Sequence, residues 1–259
     1  MVEIQRDVCI GCGLCAADCI AGSLEIRDGK AVKTRDCILC GHCVAICPTG
    51  AVSIPGYDMA DVEEIGPGQA ALDSDRLLKA IKFRRSVRDF KEKPVSREDL
   101  ALLTQAGRYT ATAKNSQGCR FIFVQEELAA FKSMIWSGIG RALKEDNPDA
   151  GPFRGFYKEH MADPRQDYLF RNAPAVLFIA TDNSVDAGLA AQNMELLAVS
   201  RGLGFLYNGY LRRAAEMNPE ARAWLGAGDK QLQACALLGH PAVEYKRTAP
   251  RRAADVILK

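Results

Sequence analysis

Eight of the ten cysteines fall within the first 47 residues, in two copies of one spacing. Cys9, Cys12, Cys15 and Cys19 read C-x2-C-x2-C-x3-C, and Cys37, Cys40, Cys43 and Cys47 repeat it, with Pro48 behind. Thiolates so spaced wrap a short loop around an iron–sulfur cubane, three sulfurs on one cluster and the fourth on the other. Disulfides suit small secreted domains, and no apolar signal segment precedes Cys9. A zinc site would call for two C-x-x-C pairs separated by a longer gap. Three cysteines within seven residues suit a cluster with four metal corners better than one tetrahedral ion. This part of the chain is therefore expected to move electrons one at a time.

Residues 1–56 resemble a bacterial-type ferredoxin carrying two [4Fe-4S] clusters. The resemblance implies that Cys9, Cys12, Cys15 and Cys47 hold one cluster, and that Cys37, Cys40, Cys43 and Cys19 hold the other. The family often has proline after the fourth cysteine of both motifs, whereas Ile20 follows Cys19 here. Proline fixes φ and cannot donate, so the departure alters a turn but removes no ligand.

The 259 residues accommodate this small unit and one ordinary domain. A 56-residue unit has little apolar core and relies on its clusters as staples. Through residue 56 there are five Lys/Arg and six Asp/Glu, net −1; the total is +2, so the rest carries +3. That balance gives no reason to expect nucleic acid or an anionic membrane as partner. No run of 18 apolar residues occurs, so no transmembrane helix is expected. Cysteine usage points to the reducing cytoplasm.

In the first part, Leu24–Arg27 and Lys30–Lys33 alternate around Asp28-Gly29, a strong hairpin signal. Val52–Ile54 reads as a closing strand, and residues 57–75, with Gly66, Pro67 and Gly68, read as a linker. The second domain is expected over 76–259. A helix starts after Asp73-Ser74, and Ser96 with Asp99 opens another. Strands are expected at 121–124, 176–179 and 232–238, with helices over 126–144 and 186–201. Residues 145–171 read as loop or short helical pieces. The helix at 186–201 is apolar nearly all round and should be central. Helices and strands mix without a regular βαβ rhythm, so the fold class is α+β.

Electrons delivered singly must pair before they can reduce an organic bond by two, which calls for a flavin or a further metal centre. The second domain has no metal-ligand cluster: His42, His160 and His240 are scattered, and Cys119 and Cys235 read as small core residues. Its candidate site residues lie in four strings. Arg84-Arg85-Ser86-Val87-Arg88 offers three guanidinium groups and a hydroxyl, which suit a phosphate. Thr112-Ala113-Lys114-Asn115-Ser116-Gln117 precedes a strand. Gly202 to Tyr210, containing Asn208 and Gly209, follows the central helix. Leu238-Gly239-His240-Pro241 is the last, with Arg251 and Arg252 beyond it. Taken singly, each has a plain alternative: Arg85 as a surface ion pair, Gly202 and Gly204 as a helix end, Asn115 as a turn residue.

In this order the four strings resemble the FMN-dependent nitroreductase family, from about residue 76 onward. The resemblance implies a mixed sheet with surrounding helices and an intertwined homodimer with FMN at the interface. Arg84, Ser86 and Arg88 match the first FMN motif, Arg84 gripping phosphate or ribityl and Arg88 near the pyrimidine edge. Thr112, Ala113 and Asn115 match the loop that reaches the flavin of the other subunit. Asn208 and Gly209 match the segment facing flavin N5, and Arg251 or Arg252 would close on the phosphate. After Gln117, Gly118-Cys119 replaces the usual Pro-Trp, and Ala111 replaces a usual proline. The implied reading is an oxidoreductase passing electrons from two [4Fe-4S] clusters to FMN. The acceptor would be an electron-poor small molecule: a nitro compound, quinone or activated alkene. The donor is left open between ferredoxin and NAD(P)H, and two alternatives stand beside this reading: an NAD(P)H-oxidising flavoprotein with the clusters as electron exit, and an electron-relay module serving a partner protein. No acid–base residue stands out.

Overall fold

A computed structural model describes all 259 residues. Contacts divide the chain into two compact units, Met1–Ala71 with Ala113–Ser116, and Leu72–Thr112 with Gln117–Lys259.

In the first unit, β1 (Glu3–Ile4) pairs with β4 (Val52–Ser53), and β2 (Leu24–Arg27) with β3 (Lys30–Lys33). Asp28 and Gly29 both take positive φ, so the hairpin turn forms where the Asp-Gly pair places it. Two four-residue helices, α1 (Leu14–Ala17) and α2 (His42–Ala45), carry Cys15 and Cys43 inward. The unit is a structural repeat with an offset of 28 residues. Gly13 and Gly41 precede the helices at φ 81° and 79°, and Gly22 and Gly50 follow them at 57° and 64°. Gly11 and Leu39 also correspond, at φ 69° and 55°. A Cβ on Gly11 would lie 2.0 Å from the Gly29 carbonyl oxygen, so only that copy must be glycine on steric grounds.

The expected linker contains a 3-10 turn at Met59–Asp61 and ends at Asp73, whose carboxylate accepts from Arg76 N (2.7 Å) at the start of α3 (Ser74–Phe83). Ser96 caps α4 (Arg97–Arg108) by accepting from Asp99 N. In the second unit, β5 (Arg120–Val124) leads to α5 (Leu128–Lys144). A 3-10 stretch (Pro148–Phe153) and α6 (Arg154–Ala162) precede β6 (Ala175–Thr181) and α7 (Ser184–Ser200). Three elements not anticipated from sequence follow: β7 (Gly204–Tyr207), α8 (Gly209–Glu216) and α9 (Pro219–Trp224). β8 (Gln231–Gly239) comes last.

The sheet order is β5-β6-β8-β7. The expectation of a mixed sheet is corrected here: every neighbouring pair of strands is antiparallel, and parallel pairing is confined to an isolated bridge between Ser86 and Phe205. β6 is buried along its whole length because both faces are covered. Val176, Phe178 and Ala180 pack on one side with Phe131, Ile135 and Leu211. Ala175, Leu177 and Ile179 pack on the other with Leu103, Ala187 and Met194. This period of two lets a continuous apolar run serve two cores. No helix is long and apolar enough to cross a membrane.

Candidate functional site

The first unit offers an apolar cavity lined by Cys9, Cys12, Cys15 and Cys47, with Ile10, Leu14 and Val52 among its walls. This set takes three cysteines from the first motif and the last from the second. The helix at α1 turns Cys15 inward, while the second copy's terminal cysteine reaches back across the repeat. No three His, Cys, Asp or Glu side chains converge on a single metal ion. The donor chemistry fits thiolate ligation. Backbone N–H groups point at four sulfurs: Ala31 at Cys9 (3.4 Å), Ser23 at Cys19 (3.2 Å), Leu39 at Cys37 (3.3 Å) and Ala51 at Cys47 (3.2 Å). The Ser23 and Ala51 bonds are again related by the 28-residue offset.

These donors shift the thiols. The Ala31 and Gly11 amides hold Cys9 below the usual thiol range. At Cys19 and Cys47 burial opposes ionisation, but the surrounding backbone donors together outweigh it and both thiols are lowered. Burial pushes Cys15 up, assisted by Cys12 and Cys47. Burial, then Cys37 and Cys40, push Cys43 up to about 11. Ligands must lose their protons to bind a cluster, which couples cluster binding to folding. Outside the two motifs, Cys235 is 4% exposed, and burial raises both its thiol and that of Cys119. Neither lines the four-thiol cavity.

In the second unit, the structure brings three of the four strings together through the backbone. Val87 N donates to Phe205 O (3.2 Å), laying the arginine string along β7. A Cβ on Gly204 would meet Val87 at 2.8 Å, so this glycine permits the approach rather than ending a helix. Gly202, at φ 70°, directly follows the C-cap of α7 and does end it. The last string is tied in by Lys91 N to His240 O (2.8 Å), by Ala242 N to Asp89 O (3.0 Å) and by a bridge between Phe90 and Pro241. Beyond it, the Tyr245 hydroxyl donates to Ser86 O (3.3 Å).

The side chains differ in how firmly they are held. Arg84 Nη1 donates to Glu195 Oε1 (3.1 Å), a buried carboxylate on α7. Arg85 Nη2 donates to Lys82 O (3.1 Å), while its Nε is buried without an acceptor. Such an orphan donor is costly and is what an anionic oxygen would satisfy. Arg88 is exposed and reaches back to Ser86 O at 3.5 Å. Asn208 caps α8: its Oδ1 accepts from Leu211 N (2.9 Å) and its Nδ2 donates to Leu169 O (2.6 Å). Gly209, the first residue of α8, has open space where a Cβ would point. The guanidinium pair and the orphan Nε suit a phosphate-bearing group. Glu195 was not singled out from sequence. Its signal was a carboxylate in the second half of a mostly apolar helix.

The second string divides. Thr112 and Gln117 lie in the second unit, where Thr112 Oγ1 accepts from Gln117 N (3.0 Å). Ala113 and Asn115 belong to the first unit, where Asn115 Nδ2 donates to Leu39 O (2.9 Å). Lys114, Asn115 and Gln117 all take positive φ, from 47° to 55°. Such non-glycine conformations cost roughly 1–3 kcal/mol each and persist where surroundings enforce them. Arg251 and Arg252 lie exposed in an irregular tail, with Arg251 donating to Pro250 O, and the structure does not bring them to Arg84.

Residues 81–240 match the Nitroreductase family, and residues 8–51 match the 4Fe-4S dicluster domain. The chain belongs to the nitroreductase family and carries a 4Fe-4S dicluster domain ahead of the nitroreductase domain. A nitroreductase with bound FMN from Bacteroides fragilis superposes with a TM-score of 0.57 at 20% identity, over 71% of this chain and 98% of that one. One from Desulfitobacterium hafniense, also with bound FMN, gives 0.56 at 25% identity, over 70% and 98%. An NADPH-dependent oxidoreductase of Staphylococcus aureus strain N315 is 27% identical over 144 residues, 55% of this chain and 57% of that protein. The chain thus spans little more than half the length of the curated relatives it matches.

Proposed function

We propose that this chain is an oxidoreductase in which two [4Fe-4S] clusters of the first unit supply electrons to an FMN held by the second. FMN would pass them in pairs to an electron-poor organic acceptor. The observation that carries the reading is one chain holding both a four-thiol cavity and an arginine string laid against β7. When bound, FMN supplies a centre that accepts single electrons and releases a hydride. Two one-electron deliveries and one proton from solvent balance each hydride. The residues that would hold it are Arg84, Arg85 and Ser86 at the phosphate end. Arg88 would lie near the pyrimidine edge, and Asn208 and Gly209 beside N5. The Asn208 cap fixes the start of α8 and thereby the backbone presented there. Thr112, Ala113, Asn115 and Gln117 are proposed for the flavin of a second copy, and Arg251 or Arg252 for the phosphate.

A homodimer is part of the proposal. Leu78, Ile81 and Phe83 of α3, and Val185 and Leu189 of α7, remain exposed on a single chain, an apolar surface suited to a second copy. The cytoplasm remains the proposed location.

A second reading is favoured by the name of the Staphylococcus aureus relatives: NADPH as donor, with the clusters as an exit. The test offers reduced ferredoxin and NADPH separately to anaerobically purified protein, with flavin absorbance followed before and after addition of a nitroarene. Flavin bleaching by ferredoxin alone, reversed by the nitroarene, is expected. Bleaching by NADPH alone would favour the second reading, and a chain that binds no FMN would overturn both.

A further inference from the structure

We propose that Glu195 is a positioning residue for the cofactor: its buried carboxylate holds the Arg84 guanidinium in the orientation that grips FMN. The inference rests on the FMN reading above. Glu195 is 1% exposed, in a stretch of α7 that otherwise packs Ala191, Met194 and Ala198 into the core. A carboxylate at such a depth is retained only if paired. Both of its oxygens are used, Oε1 by Arg84 Nη1 and Oε2 by Gln192 Nε2, each at 3.1 Å. Burial, and then this same carboxylate, raise the nearby Tyr207 phenol above its ordinary range.

Arg84 directly follows the last residue of α3, and its side chain is 26% exposed. An arginine at a helix end in water samples many rotamers, and ordering it on binding costs affinity. Here one edge is already fixed from beneath. Glu195 takes one of the five N–H donors of the guanidinium, and the remainder stay available to a phosphate or ribityl oxygen. Because Arg84 and Glu195 are 111 positions apart, the ion pair also ties α3 to α7.

Charge alone predicts the opposite effect, since a carboxylate near a phosphate repels it and its removal should tighten FMN. Preorganisation predicts that removal weakens FMN. The experiment titrates FMN into deflavinated full-length protein by fluorescence quenching, comparing wild type, Glu195→Gln, Arg84→Gln and the double variant. Thermal melts of the flavin-free chains run in parallel. Glu195→Gln is expected to bind FMN about two- to tenfold more weakly, the scale of ordering one long side chain. In the Arg84→Gln background the effect should largely vanish, because the two residues act as one unit. Glu195→Asp keeps the charge but withdraws it, and should weaken FMN as well. This variant serves if Glu195→Gln does not fold. Equal or tighter FMN binding by these variants, or an undiminished effect without Arg84, would overturn the inference. Failure of wild type to bind FMN would instead strike the cofactor reading on which it rests.

Discussion

The two units bury different things. The core of the first consists of nine buried residues, three of them cysteines: Cys9, Cys15 and Cys43. Its sheets have two strands each, and its named helices are a single turn long. Two-stranded sheets and one-turn helices are marginal in water without further support. The second unit sandwiches a four-stranded sheet between two apolar clusters, one with Phe131, Phe153 and Phe178, the other with Leu103, Leu177 and Met194. The first is therefore a fold that metal completes, and the second one that packing completes. Electron chemistry is placed accordingly. The eight motif cysteines sit in the unit with the smaller core, and an organic cofactor is assigned to the unit with a larger core of its own.

The comparison breaks most easily at Cys47. Cys47→Ser should lose one cluster's worth of iron and the thermal transition of the first unit, while the second melts as in wild type. Iron analysis with calorimetry of anaerobically purified protein checks this. Unchanged iron would contradict the shared four-thiol cavity. Conversely, Phe178→Ala should cost about 3–5 kcal/mol through the cavity it leaves, with iron content intact. Phe178 is wholly buried and stands edge-to-face against Phe131 at 5.7 Å. Denaturant unfolding followed by far-ultraviolet dichroism measures this cost.

A smaller effect concerns acid. His160 stacks on Trp136 at 4.1 Å with its Nδ1 buried and unpartnered, and burial lowers its pKa, partly opposed by Asp167. A histidine lowered in the folded state binds fewer protons there than in the unfolded chain. Its stabilising contribution is present above the unfolded value of about 6.5 and is lost as pH falls below it. The second unit should therefore be less stable at pH 5.5 than at pH 7.5, and His160→Phe should flatten that slope. A slope equal to that of wild type would remove His160 as its source.

The cysteine ladder, the Asp-Gly hairpin and the Asp73 and Ser96 caps were legible because each is a local signal with one physical solution. The three missed elements are short; β7 and the start of α8 lie within the Gly202–Tyr210 string, which reads as ligand-facing, and α9 comes after it. Cap signals were nevertheless present. Asn208 stands three before Leu211, and Asn218 precedes Pro219, accepting from Glu220 N and Ala221 N. The mixed sheet came from a resemblance rather than from the residues, and this chain pairs its four strands antiparallel. The Arg84–Glu195 pair was not legible, since the pattern of α7 marks a carboxylate but not its partner 111 positions away. Likewise, no sequence signal shows that Asn115 bonds to the carbonyl of Leu39, inside the second cysteine loop.

The central claim is that electrons reach the flavin by way of the clusters. It is tested most directly by reducing two FMN-loaded proteins anaerobically with photoreduced ferredoxin: wild type, and a variant with Cys9, Cys12 and Cys15 replaced by serine. Flavin bleaching is recorded in a stopped-flow instrument, and dithionite serves as control. The account predicts rapid bleaching in wild type. In the variant ferredoxin should give little bleaching, while dithionite still reduces its flavin fully. Equal bleaching rates with ferredoxin in both proteins would contradict it.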